Sequence, residues 1–143
     1  MDNASAADTT HSGGALRFDS IGKLRLSNTT VRDSETQGDH AVGGAIFSRS
    51  NVELINSLVH ENSTSGDFAS GGGVWANTVV MLNSSVVGNS TSGTIATGGG
   101  VFANTKVLSD GSTVTGNYTT NSSASGGGAV SYTHLTLPTI YSV

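Results

Sequence analysis

Five glycine phrases recur along the chain at almost equal intervals, and this recurrence limits what the chain can fold into. They are Gly13-Gly14-Ala15-Leu16, Gly43-Gly44-Ala45-Ile46, Gly71-Gly72-Gly73-Val74, Gly98-Gly99-Gly100-Val101 and Gly126-Gly127-Gly128-Ala129, with first residues 30, 28, 27 and 28 positions apart. An alanine stands two residues before each of the last four: Ala41, Ala69, Ala96 and Ala124. A fixed period of this size marks a repeat architecture in which each unit stacks on the next.

A second motif follows each phrase. It reads LRLSNTTVRDS at 24–34, VELINSLVHEN at 52–62, VVMLNSSVVGN at 79–89 and VLSDGSTVTGN at 107–117. The shared pattern is apolar-x-apolar-x-Asn-Ser/Thr-x-Val-x-x-Asn, and in the fourth copy Asp110-Gly111 is expected to disturb the corner. Alternation with period two specifies strand. The intervening Asn, Gly and Ser suit tight turns, because Asn tolerates and Gly readily adopts the left-handed backbone. Each unit then supplies three short strands: one after the glycines, one at apolar-x-apolar and one around the valine. Successive units pair in parallel at about 4.8 Å. The expected fold is all-β: a parallel β-helix of about four coils, each of roughly 28 residues with three short strands.

The pattern also assigns side chains to the two sides of the wall. Four inward columns are expected: Leu16, Ile46, Val74 and Val101; Leu24, Val52 and Val79; Leu26, Leu54 and Met81; Val31, Val59, Val86 and Val114. Phe18, Ser48, Ala76 and Ala103 follow the first column two residues on. Arg25, Glu53, Arg32 and His60 point to water. Asn28, Asn56 and Asn83 fall at the corner between the second and third strands, where stacked amides would satisfy turn backbone. A lone coil buries too little apolar surface to offset its ordering entropy, so stability requires stacking.

Composition narrows the function. Only 11% of residues are charged and the formal net charge is −4, with six Lys+Arg spread along the sequence. That balance argues against nucleic-acid binding. No run approaches the roughly 20 apolar residues of a membrane helix, and "MDNASAADTT" lacks the basic start and apolar core of a secretory signal. With no cysteine, disulfides and thiolate metal sites are excluded. The Asn-x-Ser/Thr sequons at Asn3, Asn28, Asn62, Asn83, Asn89, Asn117 and Asn121 arise from a composition rich in those residues.

The phrase Gly-Gly-Gly-Val-Trp/Phe-Ala-Asn, followed by Leu/Met-x-Asn-Ser-x-Val-x-Gly-Asn, resembles the repeats of right-handed parallel β-helix proteins of bacterial surfaces. Polymorphic outer-membrane proteins, autotransporter passengers and filamentous adhesins carry similar repeats. The resemblance covers about residues 11–129 and implies the right-handed, pectin-lyase-like form of the β-helix solenoid. It implies a secreted or cell-surface segment, part of an adhesin or structural stalk, continuous with further coils of its parent chain. A host surface or glycan is the implied partner. The same scaffold also carries polysaccharide lyases and glycoside hydrolases, so the alternative is a fragment of such an enzyme with its active site outside this segment.

The two ends are read separately. Residues 1–10 are expected to be a disordered or partial leading segment, with Met1 an internal methionine taken as a start. Val130-Ser131-Tyr132-Thr133-His134-Leu135-Thr136-Leu137-Pro138-Thr139 resembles a translated transposase-type sequencing adapter, so 130–143 is expected to be a non-native tail. It is set apart from fold reasoning, as a vector scar would be.

Three groups of residues carry candidate chemistry. Phe47, Trp75 and Phe102 follow inward aliphatics, so parity places them outside as an aromatic ladder that could bind sugars or a partner surface. Asp39 and Asp67 share an offset before their alanines, so adjacent coils bring two carboxylates together. Such a pair can share a proton, bind Ca²⁺ or act as acid and base, although Thr94 and Ser122 replace it in later coils. Arg32-Asp33 lies over His60-Glu61, which as alternating charges on an outer strand more commonly form exposed pairs. No phosphate loop, nucleophile elbow or zinc signature is present, so no catalytic residue, cofactor or metal is assigned.

Overall fold

The computed structural model describes residues 5–6, 12–121, 123–131 and 134–136. Its strands run in chain order. The first, β1 (Ser5–Ala6), precedes coil one, which holds β2 (Leu16–Phe18), β3 (Lys23–Ser27), β4 (Thr30–Arg32) and β5 (Glu35–Gln37). Coil two holds β6 (Ile46–Ile55), β7 (Leu58–His60) and β8 (Ser63–Ser65). Coil three holds β9 (Val74–Leu82), β10 (Ser85–Val87) and β11 (Ser90–Ser92). Coil four holds β12 (Val101–Asp110), β13 (Thr113–Thr115) and β14 (Tyr118–Thr120), followed by β15 (Ala129–Ser131) and β16 (His134–Thr136).

Every pairing is parallel and joins a strand to its counterpart one coil away. Three sheets result. The longest contains β2, β3, β6, β9, β12, β15 and β16; the second is β4-β7-β10-β13; the third is β1-β5-β8-β11-β14. The chain is therefore a parallel β-solenoid of four coils, each with three sheet segments. Among the described residues there is no helix.

The inward columns are the expected ones. Leu16, Ile46, Val74 and Val101 are register partners, as are Leu24, Val52, Val79 and Val107. Val31, Val59, Val86 and Val114 also align. Val59 and Val86 are both fully buried, on the same side of the wall. Together these residues form one continuous aliphatic cluster. Leu26, Leu54 and Met81 continue in the fourth coil as Ser109, which is buried at 8% exposure.

The strands divide differently from the motif. The segment after the glycines and the apolar-x-apolar segment are separate only in coil one. In later coils they fuse into the long strands β6, β9 and β12, with a register shift where β9 is one residue shorter. The third sheet is instead built from Glu35-Thr36-Gln37, Ser63-Thr64-Ser65, Ser90-Thr91-Ser92 and Tyr118-Thr119-Thr120. Its inward residue is threonine, so no apolar alternation marks it.

The turns are set by backbone handedness. Asn28, Asn56 and Asn83 have φ of 52°, 47° and 47°, and Gly111 takes the same corner at 56°. Asp110-Gly111 thus preserves this corner rather than disturbing it, because glycine adopts the left-handed region as readily as asparagine. The next corner uses Asp33, Glu61, Gly88 and Gly116, all with positive φ.

The middle residue of each glycine phrase is needed for close approach. A Cβ on Gly72 would collide with the carbonyl oxygens of Ser90 and Gly99. Here the glycine phrase that leads into the long sheet lies against the backbone of the threonine sheet. Thr36, Thr64 and Thr91 face inward from that sheet, and Ala41, Ala69 and Ala96 follow them in each coil. All six are buried, and the three alanines stand outside the aliphatic cluster. The three threonine hydroxyls have no hydrogen-bond partner among the described residues.

Of the segment 1–10, only Ser5–Ala6 is described, and it pairs with Glu35–Thr36. At the other end, Ala129–Ser131 and His134–Thr136 lie along β12. An open sheet edge accepts any extended backbone, so this pairing carries no information about the origin of the sequence. The remainder of 130–143 lies outside the described residues.

Candidate binding surface

Polar side chains inside the wall act chiefly along the axis. At the corner after the valine column, the backbone N–H of Ser34, Asn62 and Asn89 donates to the side-chain oxygen of Asn62, Asn89 and Asn117 respectively, at 3.0, 3.0 and 2.9 Å. The amide nitrogens of Asn62 and Asn89 also donate to the next amide oxygen, at 2.8 and 2.9 Å. They donate as well to carbonyls one coil back, Val31 O and Val59 O. The amide ladder therefore stands at Asn62, Asn89 and Asn117, and not at Asn28, Asn56 and Asn83, which are exposed. The first corner is held by hydroxyls: the N–H groups of Thr29, Ser57 and Ser84 donate to Ser57, Ser84 and Ser112 Oγ at 3.2, 3.1 and 2.9 Å.

The two aspartates are register-matched, as their offset requires. Each carboxylate serves the next turn: the Asp67 N–H donates to Asp39 Oδ1 at 3.0 Å, and the Thr94 N–H donates to Asp67 Oδ1 at 2.8 Å. Ser122, next in the series, lies outside the described residues. No group of three or more His, Cys, Asp or Glu that could hold a metal occurs among the described residues. Arg32 and His60 are register partners, but each contacts the acid that follows it: Arg32 Nη1–Asp33 Oδ2 at 3.2 Å and His60 Nδ1–Glu61 Oε2 at 3.1 Å. These exposed pairs contribute little to stability.

Phe47, Trp75 and Phe102 do form a column. Phe47 and Trp75 stack at 5.0 Å between centroids with planes 16° apart, and Trp75 and Phe102 at 6.1 Å and 8°. Arg17, the register partner of Phe47, places its guanidinium 5.1 Å from the Phe47 centroid. The ring faces are therefore turned to one another. Phe47 and Phe102 are each only 5% exposed, and Trp75 is half-buried. A sugar that stacks on a ring needs an open face, so this column offers a ligand mainly the accessible part of Trp75.

Two surface features escaped the sequence reading. One is a ridge formed by the residue before each alanine: His40, Phe68 and Ile95, with positive φ of 63°, 61° and 61°. The His40 and Phe68 rings stack at 4.9 Å and 8°. Phe68 and Ile95 are 48% and 49% exposed. Their alignment with the alanines was visible, but the left-handed backbone that turns them outward was not.

The other is a cationic patch on the outer face of the long sheet. Asp19 contacts Arg17 at 2.6 Å and Arg49 at 3.3 Å, while Glu53 contacts Lys23 at 3.4 Å and Arg25 at 3.3 Å. Four cations share two carboxylates. The sequence shows these residues scattered, and only coil stacking gathers them.

The sequence matches no protein-family model, and neither a curated protein nor a solved structure shows significant similarity to the chain. Among the described residues, no helix is long and apolar enough to cross a membrane.

Proposed function

We propose that this chain is a non-catalytic segment of a secreted or surface-displayed β-solenoid, acting as a structural or adhesive stalk of the kind found in adhesins and autotransporter passengers. One observation carries the reading. The buried asparagines and the corner serines join each coil to the next along the axis. Asp39 and Asp67 add bonds of the same kind at the surface. Such axial bonding supports a rod whose outward positions are free to vary, which is the property display requires. The carboxylates that a hydrolase would use are engaged in turn bonds or neighbouring ion pairs.

The test immobilises the protein on beads and measures retention under flow on host-cell monolayers and glycan arrays, while a polysaccharide panel is assayed for chain cleavage. Retention without cleavage supports the stalk. Release of new reducing ends or unsaturated uronates would overturn it.

A further inference from the structure

Among the described residues, His40, Phe68 and Ile95 are the exposed left-handed positions that carry a ring or a branched aliphatic. A left-handed backbone disfavours such bulky or β-branched side chains. His40 is exposed and Phe68 and Ile95 are about half exposed, so burial and the His40–Phe68 stack offset only part of that strain. At the other positive-φ positions among the described residues stand Asn28, Asn56, Asn83, Asn121, Asp33 and Glu61, or glycine. Glycine or asparagine would relieve the ridge at once, yet three successive coils present an imidazole, a phenyl ring and a branched aliphatic. Strain that recurs in three successive coils points to a role at the surface.

The ridge has an acidic border, since Asp39 and Asp67 immediately precede His40 and Phe68 and are exposed. The chain also carries the complementary chemistry. Arg17, Lys23, Arg25 and Arg49 are four of its six Lys+Arg, and they gather on one face around Asp19 and Glu53 with two positive charges in excess.

We propose that the His40–Phe68–Ile95 ridge docks a second copy of this chain through the second copy's Arg17, Lys23, Arg25 and Arg49 patch. Cations of the patch pair with Asp39 and Asp67, while the accessible parts of Phe68 and Ile95 are covered by the stems of the long side chains. The overall charge of −4 opposes association in general, so docking depends on this local match of opposite charges. A polyanion would account for the patch alone and leave the ridge unexplained; a second copy accounts for both. The proposal takes from the stalk reading only its setting, lateral association of stalks.

Sedimentation velocity over a concentration series tests it. The protein is expected to associate reversibly at about 50 mM salt and to dissociate at about 500 mM, where exposed charges are screened. Phe68→Asn relieves the left-handed strain but gives up the stack on His40, so the monomer melts close to the parent, while association weakens about tenfold. The double variant Lys23→Glu/Arg25→Glu weakens it similarly. Mixed together, the two variants associate with each other more tightly than either does with itself, because each retains the surface the other lacks. A parent chain that stays monomeric at low salt overturns the docking, as does a Phe68→Asn protein that associates normally or a mixture that shows no recovery. Heparin bound by a monomeric parent chain and lost in the double variant would assign the patch to a polyanion instead. Sedimentation reads association only, so these failures leave the stalk reading standing.

Discussion

The side-chain amide of Asn62 donates to Oδ1 of Asn89 at 2.8 Å, and Asn89 repeats the bond to Asn117 at 2.9 Å one coil further along. Asn62 and Asn89 are 1% and 0% exposed, so these amides are part of the shaft.

Replacing Asn89 with alanine removes the acceptor for Asn62 and leaves Val59 O and Val87 O without a side-chain donor. Stranded buried polar groups cost about 1–3 kcal/mol each. Asn89→Ala is expected to lower the unfolding free energy by about 3 kcal/mol in urea titration. By contrast, Asn83→Gly at the exposed corner should change it by no more than about 0.5 kcal/mol, since both residues accept the left-handed backbone. Equal losses at the two positions would place the structural asparagine at the wrong corner.

Gly72→Ala forces a methyl group against the Ser90 and Gly99 carbonyl oxygens. Neither atom is a flexible side-chain end, so the two sheets must separate. The expected loss is about 3 kcal/mol or more, with exchange of the Thr91 and Ala96 amide protons accelerated ahead of those in the valine columns. Uniform acceleration in both regions would argue that the contact between the glycine phrase and the threonine sheet is not a local brace.

Trp75→Ala removes the middle ring of the outer column. Stacked pairs contribute about 0.5–1.5 kcal/mol each beyond burial, so a loss of about 2–3 kcal/mol is expected from two broken stacks and the lost area. Trp75→Phe should recover most of it. If Trp75→Ala left thermal stability unchanged but abolished retention on glycans, the column would be a binding surface and not a brace.

Thr64 buries a hydroxyl that has no partner among the described residues, beside the matching Thr36 and Thr91. Thr64→Val keeps the shape and removes the polar atom, and is expected to stabilise the protein by about 1 kcal/mol by calorimetry. A loss instead would show that the hydroxyl holds an internal water.

The parts legible in the sequence were those written in aliphatics. Val31, Val59, Val86 and Val114 repeat at a fixed distance from their glycines, and alternation assigned them inward without ambiguity. The Ser63-Thr64-Ser65 sheet stayed hidden because an inward threonine between serines lacks a hydrophobic period. Both asparagines of the motif recur equally well, so recurrence could not tell the exposed corner residue Asn83 from the buried ladder residue Asn89. Backbone handedness and burial separate them, and neither is encoded in residue type. The aromatic column at Phe47, Trp75 and Phe102 followed from parity alone, whereas the Phe68 ridge depends on a positive φ that a phenylalanine does not advertise.

The shared direction of the ladder bonds, each joining a coil to its neighbour, determines how the rod fails under load. Tension applied between the two chain ends opens the terminal coil first, as a zip is drawn, while the coils behind it keep their pairing. Each coil would release about 95 Å of slack, the reach of roughly 28 extended residues, in one step. A molecule of this kind yields by paying out chain in instalments, absorbing work at every step while its attachment points stay connected.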